Sequence, residues 1–181
     1  MDSTFARIRY LLSPKRKATE DPSSLIPPKV VRNKVVADLG CGAGYYSRYL
    51  VKYASRLYAV DNNAEMLSKA RTVVFGGNVE FIEADLTNIP IHDGVVDVVL
   101  LANVFHDVKA VGNIVVAEVS RILNNKGIVI IIDWKKEQME IGPPYELRMH
   151  QGDYLEYFSK FKIVKEFDTG IYHYGMVLKR A

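Results

Sequence analysis

The sequence predicts an α/β domain built on a doubly wound, mostly parallel, seven-stranded sheet whose last strand runs antiparallel. Three observations carry that prediction. From Lys34 onward, short apolar runs alternate with helix-forming stretches. The runs are apolar on both faces, the mark of a parallel sheet covered by helices on each side. The last two runs are joined by only Asp168-Thr169-Gly170, a connection short enough for a hairpin.

Residues 1–33 precede this pattern. Ser13-Pro14, Asp21-Pro22 and Pro27-Pro28 break them up, and adjacent prolines fit neither a helix interior nor a central strand. The segment is expected to be a helical or irregular lid, locally basic at Lys15-Arg16-Lys17, ahead of a domain at 34–181. Within that domain, Val35–Leu39 reads as the first strand and a glycine-rich turn follows. Tyr45–Tyr53 reads as a helix and Leu57–Val60 as the second strand. Ala64–Val73 reads as the next helix, with Asn62 or Asn63 placed to cap it. Gly76-Gly77-Asn78 turns the chain into the third strand, Val79–Ile82. The fourth strand is Val96–Leu101, followed by a helix at Ala110–Leu123 and the fifth strand at Gly127–Asp133. Gly142-Pro143-Pro144 then interrupts the chain. A helix over Asp153–Phe161 and strands at Lys162–Phe167 and Ile171–Leu178 complete the reading.

Bulk properties narrow the function classes. The 181 residues suffice for one domain with a real core. A hydrophobic fraction of 49% against 25% charged excludes wholesale disorder. A net charge of +3 does not demand an anionic partner. The single cysteine, Cys41, excludes an internal disulfide, a cysteine-built metal site and thiol-rich arsenic chemistry. No metal is expected. The start of the chain carries Asp2, Arg7 and Arg9 among its apolar residues, unlike a signal peptide. The apolar runs are too short for a membrane span. A cytoplasmic protein without membrane insertion is the expectation.

The chemistry concentrates at Asp38-Leu39-Gly40-Cys41-Gly42-Ala43-Gly44. Glycines between a strand and a helix let backbone approach a ligand, and the helix start offers free N–H groups. Asp61 follows Gly40 by 21 residues, the spacing of a carboxylate that binds a ribose diol. The G-x-G-x-G spacing departs from the dinucleotide turn, G-x-G-x-x-G. Asp38 would oppose a pyrophosphate and suit a ligand that carries an amino group.

On these residues, with Ala59-Val60-Asp61, Glu83-Ala84-Asp85-Leu86, Asp97–Asn103 and Arg121-Ile122-Leu123 in the same order and spacing, the chain resembles a class I S-adenosylmethionine-dependent methyltransferase. It is especially similar to the small enzymes that modify quinones and other small molecules. The match is good over residues 34–134. The resemblance implies a Rossmann-like methyltransferase fold with S-adenosylmethionine as donor, released as S-adenosylhomocysteine after in-line displacement. It implies that Asp38, Gly40, Gly42 and Asn103 hold the methionine end. Asp61, with Asn62 beside it, would take the ribose hydroxyls. Asp85 would accept from the adenine amino group, with Leu86 against the ring.

The catalytic half is less legible. His106, just past strand four, is the candidate general base, since its pKa lies near neutrality; a structural role stands beside that reading. Asp107 is a candidate cap for the next helix, and Asp97 reads as a strand-start partner. The segment Asn103-Val104-Phe105-His106 departs from the Asn-Pro-Pro-Tyr pattern of enzymes that methylate nucleic-acid amino groups. Tyr145 and His150, with Tyr10 and the 14–17 stretch, are candidates to border the acceptor. A small-molecule or quinone-like acceptor is the leading expectation. A protein or RNA acceptor met by Lys15, Arg16, Lys17, Lys135 and Lys136 is the second, and a non-catalytic cofactor-binding protein the third.

Overall fold

The computed structural model describes residues 12–181; the reading for Tyr10 lies outside them. Three short helices open the chain: α1 (Pro14–Thr19), α2 (Pro22–Leu25) and α3 (Pro28–Val31). Each begins on a proline, where the missing N–H costs nothing and the fixed φ already suits a helix. Ser13 and Asp21 cap the first two through their side chains. Ile26 and Val31 are buried in one apolar layer with Val36, Leu50, Leu57 and Leu100, so this segment packs directly on the sheet.

The sheet then unfolds in sequence: β1 (Val35–Leu39), α4 (Ser47–Leu50), β2 (Arg56–Asp61), α5 (Ala64–Arg71), β3 (Val79–Glu83) and β4 (Val96–Ala102). Next come α6 (Phe105–Val108), α7 (Gly112–Ile122), β5 (Leu123–Trp134), α8 (Tyr154–Tyr157), β6 (Phe161–Asp168) and β7 (His173–Arg180). The seven strands lie in the order β3-β2-β1-β4-β5-β7-β6. Every pair is parallel up to β5, and β7 pairs antiparallel with both β5 and β6. The order reverses between β1 and β4, the crevice where open α/β sheets bind ligands. Two apolar layers sandwich the sheet, one led by Leu39, Val99, Phe105 and Ile131 and the other by Val36, Leu100 and Ile132. The expected fold class is the observed one, including the antiparallel last strand.

Several boundaries differ from expectation, each for a physical reason. The helix expected at 45–53 shrinks to Ser47–Leu50 between turns. Its flanks mix tight three-residue bonds with four-residue ones, because Tyr45, Tyr46 and Tyr49 anchor their hydroxyls on Glu20 and Ile26. Asn63, not Asn62, caps α5, accepting from Glu65 and Met66 at 3.0 Å. The helix expected at 110–123 starts at Gly112 after a 3₁₀ turn at Lys109–Val111, and Asp107 caps neither. β5 begins at Leu123 rather than Gly127, with a bulge between the pairings Val96–Leu123 and Val98–Ile128. The helix expected at 153–161 is a 3₁₀ turn (Gln151–Asp153) plus the single turn of α8. Phe158 leaves helical geometry there and buries against Phe105.

Candidate functional site

The site begins at the end of β1. Asp38 is buried, and its Oδ2 accepts from the Ser47 hydroxyl at 2.6 Å. Burial pushes its carboxyl up to about 6; the Ser47 hydrogen bond and nearby Arg16 pull the other way. The turn that follows needs its glycines. Gly40 and Gly42 have φ of 74° and 52°, a left-handed region that side chains avoid. A Cβ on Gly40 would lie 2.4 Å from Val104 Cγ2. The strand-four loop therefore presses on the bare backbone of the first loop. The Gly40 and Cys41 N–H groups donate to Val60 O at 2.8 and 2.9 Å, which ties the turn to β2.

Asp61, the last residue of β2, reaches back across this turn. Its Oδ2 accepts from Gly42 N at 2.8 Å and its Oδ1 from Asn63 N at 2.9 Å. Each carboxylate oxygen has a second lone pair, so the residue can shape the loop and still meet hydroxyl donors. Asp85, after β3, is exposed; its Oδ1 accepts from the Thr87 N–H and hydroxyl at 2.8 and 2.7 Å. These bonds and one from Asn62 hold its carboxyl below the usual range. Leu86 beside it is buried. At the end of β4, Asn103 adopts φ of 56°. Its amide Nδ2 donates to Glu20 Oε1 at 2.6 Å, and its Oδ1 is buried with no hydrogen-bond donor among the described residues.

These residues share one cleft of about 340 Å³, lined by Asp38, Gly40, Gly42, Asp61, Asn62, Asp85, Leu86 and Asn103. All eight cofactor-site residues expected from the sequence thus come together. Arg16, Tyr45, Tyr46, Val104, Asp107 and Val108 also line it. His106 stands one layer behind this wall. It is buried, its Nδ1 lies 2.7 Å from Asp133 Oδ1, and its Nε2 lies 3.5 Å from Asp107 Oδ1. Asp133, at the end of β5, also takes the Tyr154 hydroxyl at 2.7 Å and the Trp134 N–H at 2.8 Å. Asp97 sits at the opposite end of the sheet, holding Val35 N and Asn124 Nδ2 at 2.8 Å each. Lys135 is tied to Asp168 and Gly170 O, closing the β6–β7 connection.

Sequence reasoning missed a buried polar cluster. Glu20 is 2% exposed. It accepts from Arg16 Nε at 3.0 Å, Tyr46 Oη at 2.6 Å and Asn103, while its backbone carbonyl takes Tyr45 Oη at 2.7 Å. The Arg16 guanidinium lies 4.1 Å from the centre of the Tyr45 ring. His173 Nε2 is 3.8 Å from Glu20 Oε2, and its ring packs tilted against Trp134, with ring centres 4.2 Å apart. The only sequence signal was the Arg16–Glu20 spacing of one helical turn, which usually marks a surface pair.

The polar groups of the cleft fit an adenosyl amino acid: the Asp38, Asp61 and Asp85 carboxylates and the buried Asn103 Oδ1 are acceptors, which suit hydroxyl and amino groups rather than a phosphate. Residues 37–131 match a family model described as a methyltransferase domain. A solved structure described as a type 11 methyltransferase from Sulfolobus solfataricus is 40% identical, with a TM-score of 0.80. The match covers 90% of this chain and 93% of that one. An S-adenosylmethionine-dependent methyltransferase from Aquifex aeolicus is 26% identical over 98% of both chains, with a TM-score of 0.86. Among curated proteins, the malonyl-[acyl-carrier protein] O-methyltransferase of Pectobacterium atrosepticum is 38% identical over 63 residues, 35% of this chain and 24% of that protein. That of Hamiltonella defensa is 27% identical over 103 residues, 55% of this chain and 38% of that protein. The chain therefore spans well under half of the curated relatives it matches. Among the described residues no helix is long and apolar enough to cross a membrane. Taken with the glycine turn, the strand order and the cleft, these matches place the chain in the methyltransferase-domain family, as an S-adenosylmethionine-dependent methyltransferase of class I fold.

Proposed function

We propose that this enzyme methylates a small-molecule or quinone-like acceptor at the Asn103–Val108 end of the cleft. The observation that carries the reading is the size of that cleft. At about 340 Å³ it lies near the lower end of ligand pockets, about 300–1,000 Å³. Arg16 from the N-terminal segment and Tyr45 and Tyr46 from the loop after β1 line it. S-adenosylmethionine supplies an activated methyl group on a sulfonium. The protein's task is then mainly to align an acceptor atom at about 3–3.5 Å.

In this assignment Asp38, Gly40, Gly42 and Asn103 hold the methionine end. Asp61 and Asn62 hold the ribose, and Asp85 and Leu86 the adenine. His106 is the base for an acceptor that must lose a proton. Its Nδ1 lies against Asp133 and its Nε2 against Asp107, and Asp107 lines the cleft. We assign residues up to 33 as the segment that covers the cleft and 34–181 as the methyltransferase domain.

A second reading, a carrier-linked carboxyl acceptor, draws support from the two malonyl-[acyl-carrier protein] O-methyltransferases. The acidic lining of Asp38, Asp61, Asp85 and Asp107 favours a neutral acceptor over a carboxylate. Incubation with methyl-labelled donor and fractionated extract decides between them. Label in the small-molecule fraction is the expected result. Label in acyl-carrier protein, or in RNA with a steep salt dependence, would overturn the first choice.

A further inference from the structure

We propose that Glu20 is a positioning residue that aims the Asn103 amide, so that closure of the N-terminal segment and binding of the cofactor's amino group become one event. The inference rests on the cofactor assignment above and adds a residue from outside the sheet.

The geometry argues it in three steps. First, the Glu20 carboxylate is ringed by donors from three elements: Arg16 from its own segment, Tyr46 from the loop after β1, and Asn103 from the end of β4. His173 of β7 stands 3.8 Å away. Second, a carboxylate only accepts. The amide of Asn103 must therefore turn its nitrogen toward Glu20, at 2.6 Å. That leaves Oδ1 as a buried carbonyl with no donor among the described residues. Buried acceptors in folded proteins are nearly always satisfied, and Asn103 lines the cleft. A ligand N–H is the missing donor. Third, the backbone fixes the place of the amide. Asn103 is left-handed at φ 56°, a region asparagine readily adopts, and its N–H donates to Ile132 O at 2.8 Å.

If Glu20 moves away with the segment that carries it, the amide is free to rotate and the acceptor is lost. Conversely, a ligand ammonium on Oδ1 fixes the amide and strengthens the latch.

The test is a thermodynamic cycle on S-adenosylhomocysteine binding by titration calorimetry, with Glu20→Gln, Asn103→Ala and the double variant. The expected result is a loss of about tenfold or more in each single variant and no further loss in the double. Additive losses would show that Glu20 acts through general stability and would overturn the proposal. Hydrogen exchange provides a readout that does not depend on how the Glu20 variant folds. In the unaltered protein, S-adenosylhomocysteine should slow exchange across residues 12–33, and Asn103→Ala should abolish that protection at saturating ligand. Protection that survives Asn103→Ala overturns the proposal and leaves the cofactor assignment standing. An unaltered protein that binds no S-adenosylhomocysteine overturns both.

Discussion

The two sides of the cleft are built in opposite ways. On the β1–β3 side, the functional side chains and the glycine turn are held mainly by backbone groups. Asp61 takes Gly42 N and Asn63 N, Asp85 takes Thr87 N, and the glycine turn hangs on Val60 O. On the β4–β5 side, the side chains hold one another across long stretches of chain. Glu20 meets Asn103, and Asp133 meets His106 and Tyr154. The first side is shaped by single hydrogen bonds to backbone, whereas the second is a buried polar network, costly if any partner is lost. The β1–β3 side should therefore tolerate substitution with graded loss of binding, and the other side should fail as a unit.

Asp133→Ala puts the most weight on that contrast. It strands the His106 Nδ1, the Tyr154 hydroxyl and the Trp134 N–H in the interior. Loss of about 3–5 kcal/mol in unfolding free energy is expected, measured by denaturant titration. A loss below about 1 kcal/mol would mean the network is not cooperative.

Next in size is the pH dependence carried by Asp38. Its carboxyl rises from 3.8 to about 6 on folding, chiefly through burial. The native state therefore favours the protonated form. The group's contribution is fully favourable below pH 3.8 and is lost as pH rises through about 6. The difference amounts to about 3 kcal/mol. Against Asp38→Asn, the unaltered protein should lose relative stability between pH 4 and 7 in paired urea titrations. Cofactor binding should show the opposite sign, because an ammonium favours the ionised carboxylate. S-adenosylhomocysteine affinity should fall as pH drops through about 6. A flat profile in both measurements would remove Asp38 from the site.

Gly40→Ala tests the close approach between the two loops. The added Cβ meets Val104 in a left-handed backbone. A cost of about 1–3 kcal/mol is expected, divided between melting temperature and S-adenosylhomocysteine affinity. Unchanged affinity would show that the turn does not set the cleft.

Asp61→Ala has the smallest expected effect of the four. Affinity for S-adenosylhomocysteine should fall about tenfold, with melting temperature little changed because Gly42 N and Asn63 N can turn to water. Wild-type affinity in that variant would take the ribose role away from Asp61.

Much of the cleft lining was readable in the chain, for a reason the residues show. Asp38, the glycines and Asp61 lie at strand ends, where strand length and turn chemistry translate spacing directly into position. The same rule brings Asp85 and Asn103 to the cleft. It failed for the helix after the glycine turn, where three tyrosine hydroxyls bound to residues 20–26 outweigh helical preference. It also failed for the single turn of α8, which aromatic burial ends early. The place of His106 just past β4 was legible in the sequence, but its burial outside the cleft lining was not.

Periodicity, glycine spacing and the order of the carboxylates were enough to determine the seven-stranded sheet and the ligand it holds. Those are properties of near neighbours along the chain, and local sterics and hydrogen bonding enforce them. Only the tertiary structure decided that Arg16 and Glu20 lie inside, that Glu20 reads the amide at position 103, and that Asp133 backs the histidine. Such contacts join residues separated by up to 83 positions, and no local pattern encodes which buried charge will meet which donor.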